Sequence, residues 1–381
     1  MMYMCRQLFH KVSTTFCGAI LLAVCVVIIT AGLWPFDFFP INKVSWLYDR
    51  NGVNFYGQGM IFSPALWGKQ QKSPFQDGSI TIELSVRPLV EPTYIGRIIT
   101  FYDSREPDLL IIGQWKSHLI IRSRLQTIQS SLRKPDRHKD YGEIGLQDAL
   151  PGDNDQFITI TSGTERTSIY LNGRLAKTYP SRNILSGFTG TPCQLILGNS
   201  PSGKSWWTGY LSGLAIYNRS LSPDQVMKGY RHWMNEESLS ASGDNGCITL
   251  YRFNENGGTI LRNHVDASSP LIISEAFVPI RRIVLSLPWH DYSWSWSYFQ
   301  DIGINIVGFM PFGFFCAAYL CKAKRLRKNT VYLIVVFLGF GFSLAIELLQ
   351  VYIPTRHSQI MEVICNVLGT IAGLIVFYKF R

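Results

Sequence analysis

The sequence predicts a multi-domain membrane protein in which a four-helix α transmembrane bundle carries an inserted all-β sandwich. Three observations carry this expectation. Four apolar runs with at most one acid inside lie at the two ends of the chain, the middle alternates apolar and polar residues in short runs, and basic residues gather beside the apolar runs. With 381 residues the chain is long enough for two domains, and 47% hydrophobic against 16% charged residues makes it too apolar for disorder.

The first span is expected between Val12 and Phe36, which contain no charged residue and exceed the roughly 20 residues needed to cross the hydrocarbon core. A cleavable signal peptide would have a shorter apolar run and an A-x-A site, whereas this run ends in Trp34, Pro35 and Phe36. A lipoprotein anchor at Cys25 would need a small residue where Val24 stands. The segment is therefore read as an uncleaved anchor. The other spans are expected at Ile302–Cys321, Asn329–Ile353 and Gln359–Tyr378.

The formal net charge of +10 is local. Residues 1–11, Cys321–Asn329 and the last three residues hold bases and no acid, and the remainder is nearly balanced. A nucleic-acid surface is not implied, because these stretches each flank an apolar run and so report topology. Arg6 and Lys11 precede the first span, KAKRLRK joins the second and third, and Lys379 and Arg381 close the fourth. The positive-inside rule then puts both termini in the cytoplasm, with the long middle segment and the loop Pro354–Ser358 outside. An aromatic run of Trp289, Tyr292, Trp294, Trp296 and Tyr298 before the second span suits the headgroup layer. The expected organisation is residues 1–36 as the first span with a short cytoplasmic N-terminus, 40–275 as the extracytoplasmic sandwich, 276–299 as an interfacial segment and 300–381 as three spans.

Within the middle segment, GSITIELSVRP, IGRIITFYD, LLIIGQW, HLIIRSRL, QFITITSG, TSIYLNGRLAKTYP and CQLILGN read as strands. Asn172-Gly173 between two apolar runs predicts a type I′ hairpin, since both residues tolerate positive φ. SPDQVMKGYRHW predicts one helix, with Ser222 as N-cap and Pro223 at the first helical position.

Several motifs in this segment need weighing. Gly198 to Ser205 matches the phosphate-loop pattern G-x-x-x-x-G-K-S, but the aromatic, glycine-broken sequence after it does not predict the helix such a loop needs. No nucleotide partner is expected. A glycoside hydrolase would need paired carboxylates, yet Glu83 stands alone on its strand, so binding is favoured over cleavage. Trp115, Trp206 and Trp207 are candidate stacking residues for sugar rings, with the sandwich core as the competing location. Cys193 and Cys247, the two cysteines of this segment, are a candidate disulfide pair. No C-x-x-C or H-E-x-x-H pattern points to a metal, no cofactor is identified, and a structural Ca2+ in the sandwich has no motif behind it. The run IYLNGRLAKTYP, followed by LILGNSPSGKSWWTGYLSGLAIYNRSLSPDQV, resembles the laminin-G and concanavalin A-like lectin superfamily. That resemblance implies a two-sheet jelly-roll with carbohydrate or protein ligands at one rim. LYRFNENGGTILRNHVD looks like the start of another module too short to complete, and is expected to add strands to the same sandwich.

The spans hold a sharper signal. Asp301 and Asn305, Glu347 and Gln350, and Glu362 and Asn366 are three polar pairs, each on one helix face. Counted from the outer ends, Asn305, Glu347 and Asn366 fall at a shared depth of roughly 9 to 12 Å. Arg356 in the outer loop is expected to roof the cluster and pair with Glu347 or Glu362. Ionisable residues at membrane depth mark a functional site, and hydrogen-bonded glue between helices is the alternative. Gly303, Gly308, Gly369 and Gly373 are expected at close-packing positions.

DIGINIVGFMPFGFF, AIELLQVYIPTR and EVICNVLGTIAG resemble the VanZ-like membrane family. The matching positions are Asp301, Asn305, Phe309, Pro311, Gly313, Glu347, Gln350, Arg356, Asn366, Gly369 and Gly373. Gln359 stands where an Asp is frequent, and Glu362 replaces the usual Asp. AGLWPFDFFP resembles the family's first helix, which implies that the sandwich is inserted in the first outer loop. The resemblance implies a bacterial envelope protein of the cytoplasmic membrane, from a family whose named member is linked to resistance to the glycopeptide teicoplanin. Three functions follow as expectations. The first is a binding module for glycan or envelope material; the second is a membrane enzyme acting on a lipid-linked envelope precursor, with Glu347 as general base and Arg356 holding a phosphate. The third is a scaffold for polymer export or protein sorting. One carboxylate facing a basic fork is a thin catalytic set, so binding ranks above an enzyme.

Overall fold

The computed structural model describes residues 13–64, 75, 78–104, 108–125, 141–188, 193–235, 246–287, 296–324 and 326–381. Two compact units form, Met1–Pro40 with Arg282–Arg381, and Ile41–Arg281. Trp289, Tyr292, Trp294, Arg6 and Lys11 lie outside the described residues.

The second unit is a sandwich of two eight-stranded antiparallel sheets. Sheet one runs β1 (Val44–Trp46), β2 (Val53–Phe55), β13 (Gly209–Tyr217), β4 (Ile80–Pro88), β9 (Gln156–Ser162), β10 (Arg166–Leu171) and β11 (Arg174–Pro180), with β14 (Cys247–Tyr251) also paired to β13. Sheet two runs β15 (Ile260–Leu261), β16 (Leu271–Ile273), β3 (Ile61–Phe62), β12 (Gln194–Leu197), β5 (Gly96–Tyr102), β6 (Leu110–Trp115), β7 (His118–Arg124) and β8 (Tyr141–Leu146). The period-two alternation puts Ile82, Leu84, Ile158 and Ile160 of sheet one and Phe101, Ile112, Leu119 and Ile121 of sheet two into one core, each fully buried. The segment Leu250–Asp266 completes this sandwich by feeding β14 into sheet one and β15 into sheet two.

Local chemistry fixes the connections. Asn172 and Gly173 take φ of 49° and 77°, turning β10 into β11. Helix α2 (Pro223–Met234) starts at a reciprocal cap in which Ser222 Oγ accepts from Gln225 N and Gln225 Oε1 accepts from Ser222 N. It covers the outer face of sheet one, and Trp233 Nε1 donates to Glu83 Oε2 at 3.0 Å, while the Tyr217 hydroxyl donates to the same oxygen at 3.2 Å. This explains why β4 is buried on both faces whereas β7 alternates. Glu83 is thus a buried acceptor between sheet and helix.

The first unit is built from α1 (Thr14–Leu33), α3 (Trp296–Lys324), α4 (Lys328–Gln350) and α5 (Ile360–Phe380), four helices long and apolar enough to cross a membrane. With 20 residues in the shortest, each reaches about 30 Å at 1.5 Å per residue. Helix α3 starts before the expected Ile302, so Trp296 and Tyr298 are helical, because nothing between them and Ile302 breaks a helix. Helix α4 stops at Gln350, ahead of Pro354, which cannot continue it.

Close packing of α3 on α5 depends on glycines. A Cβ at Gly313 would stand 2.0 Å from Thr370 O, at Gly369 2.1 Å from Ile306 O, and at Gly373 1.9 Å from Met310 O. The helices therefore meet backbone to backbone, where dispersion rather than hydrophobic exclusion holds membrane helices together. Gly303 and Gly308 do not share this role, because a Cβ at either meets no atom within 4 Å. They sit on the part of α3 that α5 does not cover. At the opposite end of the bundle from the α4–α5 loop, Tyr332 and Tyr378 stack at 5.1 Å, Lys328 Nζ lies over both rings, and Arg381 Nη1 reaches Cys321 Sγ at 2.9 Å. Lys328 and Arg381 thus lie at this end, while Arg282, over the ring of Tyr352, and Arg356 lie at the other.

Gly373→Ala is expected to lower the melting temperature of the detergent-purified chain by several degrees, corresponding to about 1–3 kcal/mol of overpacking. Gly303→Ala should leave it unchanged within error. Tryptophan fluorescence during heating checks both.

Candidate functional site

The seven polar residues singled out on the spans line one cleft of 590 Å3. It is bounded by the C-terminal part of α1, the N-terminal half of α3, the C-terminal end of α4, the loop 351–359 and the start of α5. Helical spacing puts Asp301 and Asn305 on one face of α3, Glu347 and Gln350 on one face of α4, and Glu362 and Asn366 on one face of α5. The glycine-mediated approach of α3 to α5 brings these faces together.

Glu347 is 1% exposed, and its Oε2 accepts from Gln359 N at 2.8 Å. Gln359 is the N-cap of α5 and offers no side-chain cap, so the carboxyl of α4 serves the unfilled donors at the start of α5. Glu362 and the Ser358 hydroxyl also lie within hydrogen-bonding reach of Glu347.

Arg356 does not pair with either glutamate. Its Nε donates to Trp34 O at 2.8 Å and its Nη2 to Ala31 O at 2.9 Å. The last carbonyls of α1 have no partner within their own helix and carry the negative end of its dipole, so they compete successfully for the guanidinium fork. Gln350 adds a third such bond, from Nε2 to Gly32 O at 2.9 Å. Asn366 Nδ2 donates to Ser343 Oγ at 2.9 Å. Ser343 and the α1 carbonyls were invisible as site members in the sequence, although Ser343 stands one turn before Glu347 on the same face.

Gln350 and Asn366 are each 4% exposed, yet Gln350 Oε1 and Asn366 Oδ1 have no hydrogen-bond partner among the described residues. Leaving such an acceptor buried and unfilled costs about 1–3 kcal/mol. The cleft therefore has its recorded donors committed to protein carbonyls and hydroxyls, and acceptors left over.

In the sandwich the candidate tryptophans part company. Trp207 is 1% exposed, packs near Phe55 and donates from Nε1 to Gln114 Oε1 at 2.7 Å, which makes it a core side chain closed to any ligand. Trp206 is half-buried against Tyr94, with ring centres 5.5 Å apart. Trp115 is 39% exposed, with Lys116 Nζ 5.0 Å from its ring centre. A smaller cavity of 200 Å3 on sheet two is lined by Ile95, Arg97, Ile111, Arg122 and Ser205.

The loop Gly198–Ser205 is a packing device. Asn199 Oδ1 accepts from Ser200 N and Ser205 N, and its Nδ2 donates to Gly59 O. Gly198 and Gly203 sit at φ of 79° and 77°, where a Cβ would meet Phe55 at 2.1 Å and Phe277 at 2.6 Å. Strand β13 follows the loop in place of a helix. Cys193 and Cys247 are both free thiols, which overturns the expected disulfide. Cys193 precedes β12 in sheet two and packs in the core, whereas Cys247 begins β14 in sheet one and packs with the cluster under α2. Among the described residues no three His, Cys, Asp or Glu side chains come together as a metal site. In the sandwich Asp103 pairs with Arg124, Asp108 with Arg97 and Asp155 with Arg87.

A family model described as VanZ/LLP1 matches residues 246–381, and one described as concanavalin A-like lectin/glucanases superfamily matches residues 68–227. No curated protein matches the chain. The binding domain of botulinum neurotoxin DC in complex with rat synaptotagmin II is 16% identical, over 41% of this chain and 36% of that one, with a TM-score of 0.30. The CBM40 of the Ruminococcus gnavus IT-sialidase bound to alpha2,3 sialyllactose is 13% identical, over 48% of this chain and 96% of that one, with a TM-score of 0.34. The heptameric SAP-like pentraxin from Limulus polyphemus is 15% identical, over 62% of this chain and 93% of that one, with a TM-score of 0.34. The chain thus spans about a third of the neurotoxin domain, and nothing about activity is taken from these likenesses. The fold and the family models define a membrane protein that joins a VanZ/LLP1 region to a concanavalin A-like sandwich.

Burial pushes the Cys193 thiol up to about 12, with the Asp103 carboxylate adding to the effect. Maleimide at pH 7.5 without reductant is therefore expected to label half-buried Cys247 in the folded chain and to spare Cys193, and to label both after denaturation. Peptide mass mapping reads the outcome, and a bonded pair would label in neither state.

Proposed function

We propose that this chain is a multi-pass protein of a bacterial cytoplasmic membrane whose sandwich lies on the extracytoplasmic side and binds envelope glycan. We take its role to be adaptation of the cell envelope, including resistance to teicoplanin-type glycopeptides. Lys328 and Arg381, at one end of the bundle, support cytoplasmic termini, because the positive-inside rule retains Lys and Arg on that face. Both ends of the sandwich segment leave the bundle at its other end, after α1 and before α3. The single observation that carries the reading is the polar cleft at that outer end, walled by four apolar helices and open on one side. A polar cavity at membrane depth persists against a substantial cost and so marks a site.

The enzyme reading loses its support from Arg356, since both of its recorded hydrogen bonds go to α1 carbonyls rather than outward to a phosphate. Glu347 likewise serves the start of α5. Binding is the function this geometry favours. On the sandwich, the exposed ring of Trp115 is the stacking surface we favour for a sugar.

The full chain in lipid nanodiscs is expected to bind a subset of an envelope-glycan array, with Trp115→Ala weakening binding roughly tenfold, the worth of one stacking contact. Glu347→Gln should leave that binding intact while altering teicoplanin susceptibility of the expressing cell. An array blank at millimolar glycan, or reporter fusions placing the sandwich in the cytosol, would overturn the proposal.

A further inference from the structure

The cleft has two properties that its role as a polar cavity does not require. Its side facing α1 and α3 is open to lipid, because Ile304 lines it while 68% exposed, and Gly308 lines it where a Cβ would meet nothing within 4 Å. Its charged lining is mostly acidic, with three carboxyl groups to one guanidinium, and Thr355, His357 and Gln359 are also on the wall. Asp301, Glu347 and Glu362 supply carboxyl oxygens, and the buried Gln350 Oε1 and Asn366 Oδ1 have no partner among the described residues. The donors of Gln350, Asn366 and Arg356 are meanwhile bonded to Gly32 O, Ser343 Oγ, and Ala31 O with Trp34 O.

We propose that the cleft is a lipid-headgroup site for a primary ammonium, entered sideways from the bilayer between α1 and α3. The inference rests on the reading of the cleft as the site of the membrane unit, and it adds the ligand class and the route. An ammonium brings three N–H donors and a positive charge, and no acceptor that would compete with the wall. A headgroup without a cation would bring only anionic oxygens to a wall of three carboxyl groups and one guanidinium, whereas the phosphate of a zwitterionic headgroup is set apart from its ammonium and stays toward the lipid side. A quaternary ammonium keeps the charge but has no N–H to donate to these carboxyl oxygens. The cavity of 590 Å3 falls within the usual range for small-molecule sites of about 300–1,000 Å3. Ile28, Ile304, Phe309 and Ile346 provide an apolar wall for the glycerol end of the lipid.

Native mass spectrometry of the full chain, released from nanodiscs with matched acyl chains, tests this. Phosphatidylethanolamine should be retained over phosphatidylcholine by roughly tenfold, the factor expected for charge-assisted hydrogen bonds that only the primary ammonium makes. Gly308→Leu should abolish the preference by filling the cleft. Gly303→Leu, which also projects into open space but does not line the cleft, should keep it and so shows that the bundle tolerates a side chain on this stretch of α3. Asp301→Asn should weaken the preference. Equal retention of the two phospholipids by the unaltered chain overturns the proposal, as does a preference that survives Gly308→Leu. A glucosyl diacylglycerol, which has hydroxyl donors and no charge, retained as well as phosphatidylethanolamine would overturn the ammonium assignment. None of these readouts depends on which side the sandwich occupies or on glycan binding, so failure here leaves the proposed function standing and the reverse also holds.

Discussion

Unsatisfied backbone at the end of a membrane helix is the constraint on which the bundle depends. Helix α1 ends with carbonyls that no intrahelical N–H can reach. Arg356 and Gln350 supply side-chain donors to Ala31, Gly32 and Trp34, and so tie the first span to α4 and its following loop across more than 300 residues of sequence. At the start of α5 the need is reversed. The Gln359 N–H there is met by the Glu347 carboxyl, reached from the neighbouring helix, and the Ile360 N–H by Ser286 O. Two helix ends of opposite polarity thus take side-chain partners from one short stretch of chain, and these polar side chains line the cleft.

Glycine divides the bundle into closed and open parts. Gly313, Gly369 and Gly373 let α3 and α5 approach until their backbones touch, which fixes the depth at which Asn305 and Asn366 face the same space. On another side of α3, away from that seam, Gly303 and Gly308 meet no atom and leave room. One residue type therefore builds the seam and, on a different face of the same helix, the opening. In the sandwich the same distinction recurs, since Gly198 and Gly203 are filled against by Phe55 and Phe277 rather than wrapped around a phosphate.

Much of this was legible in residue order. Apolar runs of sufficient length gave the spans to within a few residues, and period-two alternation gave the principal strands, because both depend on local composition and geometry. The Asn172-Gly173 turn and the Ser222 cap are local hydrogen-bonding and torsional facts, and they stand in the structure as expected. The pairing of Arg356 was misread because charge complementarity with Glu347 and Glu362 is visible in the sequence, whereas the carbonyls it actually serves belong to every residue type. Trp207 was a candidate for the surface since an aromatic side chain carries no mark of which face of its strand region it will take. The disulfide expectation failed for a related reason, as Cys193 and Cys247 belong to different sheets.

Sequence alone determined the class of each segment and the helix faces that bear polar side chains, because each follows from spacing within one element. Only the tertiary structure decided which hydrogen bonds those side chains make, which glycines are packed, and that the Gln350 and Asn366 amide oxygens have no partner among the described residues. Those outcomes depend on the distance between elements remote in the chain, which is set by backbone contacts that carry no side-chain signature.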